Sequence, residues 1–296
     1  MQLTRAVLLL SIAVGAALAQ KGPFVHSDEL AWGNPGAHGP GTSAKILLTK
    51  ENGFLDDLLR AMWLVKIDPG GQYAVTMFPK EDMAFFVAKG TGRVALGDEQ
   101  IDTKPGDAFG VPAGVKHGLA NNGTEPVELV VFAAPLQAPN PTAKPVKGRA
   151  DDLAWEPNAT HGPGCDLKML LNGGFSAVIR GLWIMRGNPG SLNVVHSGAE
   201  HQLFYMWTAP APSRTPRDSR TGGARLILRD RAMQTRTGDA IYAAGAPRLD
   251  EHGFLNESPK EPLIYVAIGV RIPGPRSFGG VVGSGPIGGV VPDRRR

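Results

Sequence analysis

The stretch PGDAFGVPAGVKHGLANNGTEP, residues 105–126, decides how this chain is read. It sets a single histidine, His117, between Gly114 and Gly118, with Pro112 ahead of it and Asn121 behind. Glycine and proline at such places turn the backbone rather than extend a helix. The segment is therefore expected to turn between short strands. The neighbouring apolar runs agree: AMWLVKI, YAVTMF, AFFVAKG, RVALG, AFGVP and ELVVFAAP, divided by turns such as GTG and GDE. Runs of that length at intervals of about ten residues indicate an antiparallel sandwich or barrel rather than alternating strands and helices.

The pattern occurs twice. SDELAWGNPGAHGPGTSAKILL (27–48) matches ADDLAWEPNATHGPGCDLKMLL (150–171) at Leu30/Leu153, Ala31/Ala154 and Trp32/Trp155, and again from His38 to Gly41 against His161 to Gly164. RAMWLVKIDPGG pairs with RGLWIMRGNPGS, setting Trp63 opposite Trp183. The second copy has its own short runs, GLWIM, LNVVH, LFYMW, RLILRD, DAIYAAG and LIYVAIGV. Such self-similarity marks an internal duplication. The expected organisation is one barrel over 20–137, a proline-rich linker over 138–150, and a second barrel over 151–272. APAPSRTPRDSRTGG (209–223) interrupts the second copy as an excursion between strands, and residues 273–296 form a glycine-rich basic tail.

The first residues, MQLTRAVLLLSIAVGAALAQKG, carry one early charge at Arg5, an apolar run from Ala6 to Leu18 and a small-residue ALA ending at Ala19. This is the form of a cleavable secretory signal, 1–19, with an apolar run shorter than the roughly 20 residues a spanning helix needs. The mature chain is thus expected to be secreted or periplasmic, with no membrane attachment after cleavage. Only one cysteine, Cys165, is present, so no intrachain disulfide forms even there. The 39 glycines and 25 prolines suit many tight turns. A net charge of +4, partly in the closing DRRR, supplies no continuous surface for nucleic acid, and a small-molecule ligand is the expected partner.

The order Gly106, five residues, Pro112, one residue, Gly114, two residues, His117, three residues, Asn121 resembles the complete second motif of the cupin superfamily. With the duplication, the chain resembles a two-domain cupin, or bicupin. The resemblance implies an all-β fold of two tandem jelly-roll barrels, with His117 pointing into a barrel mouth where the family usually binds a metal. In the family's first motif two histidines two residues apart, and a glutamate further on, supply the other ligands. Counted back from Gly90, the glutamate's place is held by Met83, and the histidines' places fall at Thr76 and Phe78 or at Met77 and Pro79. None of these suits a hard or borderline divalent ion. The first barrel is expected to hold no metal, and His117 to line an apolar ligand pocket with Phe78, Met83 and Phe85.

The second copy keeps more chemistry. His196 stands opposite Thr76, its partner two residues on is Gly198, and counting along LFYM places Gln202 in the glutamate's position. Glu200 and His201 immediately precede it, and a one-residue bulge would turn either inward. GDAIYAAGAPRLDEHGFLN recovers the ending of the second motif as His252 and Asn256, with three extra residues and Ala244 in place of the proline. His196 and His252, with Glu200, His201 or Gln202, form an incomplete ligand set for Zn, Fe, Mn or Ni at open coordination in the second barrel only. An inert hydrogen-bonded cluster is the competing reading. His38 and His161 are expected to be turn residues, because Gly-Pro-Gly accounts for their segment by backbone geometry alone. His26 carries no signal.

Two functions from different classes remain. One is a metal-dependent enzyme acting on a small oxygenated substrate, with Glu200 as ligand or general base and Tyr205 or Tyr242 as proton donors. The other is a binding or sensing module without chemistry. A storage role of the seed-protein kind suits metal-free barrels but not an exported chain of this length.

Overall fold

The computed structural model describes residues 24–34, 39–50, 57–138, 140–212, 223–228, 231–245 and 248–272. The expected signal, His38, most of the 209–223 excursion and the basic tail lie outside the described residues. Among the described residues no helix is long and apolar enough to cross a membrane.

Among the described residues twenty-one strands carry the fold. In the first half they are β1 (Phe24–Val25), β2 (Thr42–Thr49), β3 (Ala61–Ile67), β4 (Gln72–Thr76), β5 (Glu81–Lys89), β6 (Gly92–Leu96), β7 (Glu99–Thr103), β8 (Asp107–Val111), β9 (His117–Ala120) and β10 (Val127–Pro135). In the second they are β11 (Val146–Arg149), β12 (Glu156–Pro157), β13 (Cys165–Asn172), β14 (Ile179–Gly187), β15 (Leu192–His196), β16 (His201–Thr208), β17 (Ala224–Leu228), β18 (Arg231–Thr235), β19 (Ala240–Ala243), β20 (His252–Asn256) and β21 (Leu263–Val270). They form two sandwiches. A sheet in the order β11-β8-β5-β10-β3-β2 faces a smaller one, β4-β9-β6-β7, and a sheet β1-β19-β16-β21-β14-β13-β12 faces β15-β20-β17-β18. All pairings are antiparallel.

Period-two alternation assigns each large sheet two apolar faces. On β5, Met83, Phe85 and Val87 point into the first barrel, while Ala84 and Phe86 point away from it. On β16, Phe204 and Met206 fill the second barrel, while Leu203 and Tyr205 point outward. The two outward faces meet each other and make a third core, where Met62, Phe86 and Phe132 pack with Leu182, Leu203 and Ile268. This explains why the strands of the large sheets read as near-continuous apolar runs: both of their faces are covered. Trp207 joins the barrels, donating its Nε1–H to the Ala88 carbonyl at 2.8 Å with its ring edge-on to Phe86.

The leading strand of each copy sits on the other barrel. β1 pairs with β19 of the second barrel, and β11 pairs with β8 of the first. The segment expected to be a linker, 138–150, therefore ends in a strand of the first barrel, and the chain crosses between barrels after β1 and again after β11. His26 has a role here that its sequence does not announce: its Nδ1 lies 3.0 Å from the buried Asp239 Oδ1, fixing the exchanged segment in place.

Candidate functional site

In the first barrel the strand order puts His117 beside Thr76 on one side and Leu96 on the other. His117 is buried, its Nδ1–H directed to the Val115 carbonyl at 3.0 Å, and the rings of Phe85, Phe78 and Tyr73 stand 5.2, 5.7 and 6.3 Å from its own. The cavity lined by His117, Phe85, Tyr73 and Leu96 measures about 20 Å³, close to the room one water needs. This differs from the expected ligand pocket. Met83 packs within the core, Phe78 covers it from the rim, and the space between them is filled by Tyr73 and the strand aliphatics.

The second barrel gathers histidines at the matching end. His196 and His252 are direct partners across β15 and β20, with ring centroids 4.7 Å apart. Gln202 is turned inward by the period of β16, and its side-chain amide lies 2.9 Å from His252 Nε2. A third imidazole joins them. His161, at the end of a 3-10 turn over Ala159–His161, packs edge-on to His196 with centroids 4.5 Å apart. The reading of His161 as a turn residue missed this; its repetition as His38 and His161 ahead of a histidine-bearing strand was the available signal.

Each ring is held by its Nδ1. His196 directs Nδ1–H to the Val194 carbonyl at 2.8 Å, and His252 directs its own to the Asp250 carbonyl at 3.0 Å. For His161 the partner is Thr160 Oγ1 at 3.0 Å, whose hydroxyl hydrogen is given to Asn158 Oδ1 at 2.7 Å, so the threonine oxygen accepts from the ring. For His161 and His196 this sets the tautomer that leaves Nε2 as a lone-pair donor, the arrangement found behind metal-ligating histidines, whereas His252 has an oxygen acceptor at each nitrogen, the Asp250 carbonyl at Nδ1 and Gln202 Oε1 at Nε2. Burial keeps them neutral. It depresses the pKa of His161 and of His252 to about 4, with the His196 ring adding to both shifts, and it depresses His196 as well.

The remaining expected site residues lie elsewhere. His201 points through the sheet to the opposite face, where its Nδ1 accepts from the Gly245 N–H at 3.0 Å and meets the Tyr242 hydroxyl at 3.1 Å. Tyr205 and Tyr242 belong to the core between the barrels, and burial raises the Tyr205 pKa. No bulge turns that face inward, so none of the three reaches the histidine cluster. Glu200 stays at the rim, over Gly269, the cross-strand neighbour of Gln202, with its Oε2 bonded to Arg180 Nη1 at 2.9 Å.

The donor set fits a borderline divalent ion in its chemistry: neutral imidazoles with oriented lone pairs and an amide oxygen. The rings are adjacent rather than drawn to one point. Among the described residues, the set of three ligand atoms already within 4.8 Å of one another is that of His26, Asp28 and Glu29. That surface group is an ion-pair network instead, since Arg236 Nη1 lies 3.1 Å from Asp28 and 3.7 Å from Glu29.

Residues 63–133 match the family described as Cupin domain. The chain is a two-barrel cupin-fold protein. Solved cupin-fold structures overlay on both barrels at low identity. Protein YlbA from E. coli is 12% identical over 84% of this chain and 90% of its own, with a TM-score of 0.61. AerE from Microcystis aeruginosa is 13% identical over 79% and 94%, with a TM-score of 0.58. Oxalate decarboxylase from Lactobacillus farciminis, in a formate complex, is 14% identical over 83% and 85%, with a TM-score of 0.60. No curated protein sequence matches the chain. At these identities the cupin likeness establishes the fold and leaves the chemistry to the site.

Proposed function

We propose that this protein is an exported, metal-dependent enzyme acting on a small oxygenated substrate at the mouth of the second barrel, with His196, His252 and Gln202 holding the ion. One observation carries the reading: the half-buried His196 and the buried His252 stand side by side as neutral rings, each with Nδ1 at a backbone carbonyl and with Gln202 Oε1 beside them. The ion, Zn, Fe, Mn or Ni, would supply Lewis-acid or oxygen-activating chemistry when bound. The chain's own residues hold and orient it, while Phe204 beneath His252, with ring centroids 5.2 Å apart, keeps water out of the barrel below. Glu200 and Arg180 at the rim are placed to meet a polar substrate at the entrance. Support also comes from the fold, which is shared with an oxalate decarboxylase.

Elemental analysis of protein purified without an affinity tag tests this. One equivalent of a divalent transition metal in the wild type, lost in both His196→Ala and His252→Ala, is the expected result. A second reading, a non-catalytic ligand-binding module, is favoured by the 2.9 Å contact between Gln202 Oε1 and His252 Nε2, because an amide oxygen accepts and is satisfied there by an N–H rather than by a lone pair kept for a metal. Metal-free wild-type protein that has been offered zinc, iron, manganese and nickel in turn would decide for it.

A further inference from the structure

Each copy of the duplication carries a buried aspartate in a Gly-Asp-Ala step, Asp107 in the first and Asp239 in the second, beside the strand that crosses over from the other copy. One oxygen of each is held alike. Oδ2 accepts a backbone N–H from three residues earlier, from Lys104 at 3.1 Å and from Arg236 at 2.7 Å. At Oδ1 the copies part. Asp239 Oδ1 meets His26 Nδ1 at 3.0 Å, whereas Asp107 Oδ1 is buried with no hydrogen-bond partner in the protein. The alignment that sets Leu30 against Leu153 puts Arg149 in the place of His26, and Arg149 is the register partner of Asp107. Its guanidinium is turned aside: Nη2 donates to the Asp102 carbonyl at 3.0 Å, and among the described residues no carboxylate forms an ion pair with it.

Beside the two residues lies a cleft of about 430 Å³, lined by Arg149, Asp107, Arg93, Asp102, Lys104 and Asn122. Small-molecule sites have this size. It is at the end of the first barrel away from His117, since His117 begins β9 and Asn122 follows the strand's last residues. The other charges are committed. Arg93 Nε donates to Asp102 Oδ1 at 2.8 Å, and Lys104 Nζ to Asp151 Oδ2 at 2.5 Å. One guanidinium and one carboxylate oxygen, on facing residues, are left for a ligand.

We infer that this cleft binds a free α-amino acid, with its ammonium on Asp107 Oδ1, where the His26 ring stands in the other copy, and its carboxylate on Arg149. A carboxylate oxygen only accepts, and a buried acceptor left unmade is costly. A guanidinium matches a carboxylate through two parallel N–H bonds. A simple acid leaves the aspartate charge unmatched and a simple amine leaves the arginine, whereas a zwitterion answers both. Because Oδ1 is closed to solvent in the resting arrangement, entry of the ligand turns Arg149 away from the Asp102 carbonyl. That exchanges a neutral acceptor for a charged one, which binds a guanidinium more strongly. The inference is independent of any metal in the second barrel.

Calorimetric titration of the full-length protein with each of the common L-α-amino acids, and with sodium acetate, sodium L-lactate and methylammonium chloride, tests this. Expected is one equivalent of at least one amino acid, bound at least about tenfold more tightly than any of the three simpler probes. Affinity should fall about 10–100-fold in Arg149→Gln and in Asp107→Asn. Arg149 is partly exposed, so Arg149→Gln should melt like the wild type and carries the test if Asp107→Asn folds poorly. His196→Ala should bind the amino acid as the wild type does, which separates this cleft from the second barrel's mouth. No amino acid bound by the wild type would overturn the inference. So would binding that persists in Arg149→Gln or is lost in His196→Ala. L-Lactate bound as tightly as L-alanine would overturn the pairing of an ammonium with Asp107.

Discussion

His196 and His252 face each other as cross-strand partners, their rings 4.7 Å apart, each with its Nδ1 tied to a backbone carbonyl two residues earlier in the chain. His117 in the first barrel is held in the same way by Val115, yet its cross-strand partner is Thr76. One architecture thus presents two outcomes, separated by threonine against histidine at one register position and by Met83 against Gln202 at another. Metal content should be unaffected by His117→Ala and abolished by His252→Ala, as measured by elemental analysis of both variants side by side. Equal loss in the two would mean that the barrels are not distinguished as described.

Replacing Gln202 by glutamate restores a carboxylate beside His252 Nε2. A charged oxygen donor at that place should tighten binding of a divalent ion at least about tenfold, or about 1.4 kcal/mol, and shift the balance between zinc and manganese toward manganese, which suits oxygen ligands. The two affinities, measured for Gln202→Glu and wild type, check this. Unchanged binding would place Gln202 outside the coordination sphere.

Burial of neutral imidazoles makes the metal-free fold sensitive to acid. His161 and His252 take up protons near pH 4 when folded, whereas an ordinary imidazole does so near 6.5. Between those values the unfolded chain binds more protons, so stability from these groups is full above about pH 6.5 and is lost progressively as pH falls toward about 4. Denaturant midpoints measured in chelator from pH 7.5 to 4.5 should decline, and the decline should be shallower in a His161→Asn, His252→Gln double variant. An equally steep decline in that variant would assign the acid sensitivity to other groups.

The core between the barrels should control stability without touching the site. Phe86 is fully buried there against Trp207, and Phe86→Ala is expected to cost about 3–5 kcal/mol. Calorimetric unfolding would show it as a lowered transition, with metal content per folded molecule unchanged.

His26→Ala should destabilise by about 1–3 kcal/mol, because the buried Asp239 carboxylate loses the ring that meets its Oδ1. Thermal melts against wild type measure it. No change would mean that the exchanged segment is held by strand pairing alone. Export is checked separately: N-terminal sequencing of the mature protein should begin at Gln20, and a chain still beginning at Met1 would exclude cleavage.

The sequence by itself determined the duplicated all-β architecture, because strand period, turn residues and motif spacing are local properties repeated in both copies. It also determined the inward register of His252 and Gln202, since alternation along a strand follows from counting once one position is known. Tertiary structure decided the rest. That β1 and β11 sit on each other's barrels is invisible in segments of two and four residues, whose pairing is chosen by the sheet edges left open to them. His161 looked like part of a turn because its reach depends on how closely Gly162 lies against β15, a distance set by two segments far apart in the chain. His201, Tyr205 and Tyr242 looked like chemistry because residue type was legible, whereas the face they occupy was assigned by the third core, which exists only once the two barrels pack together.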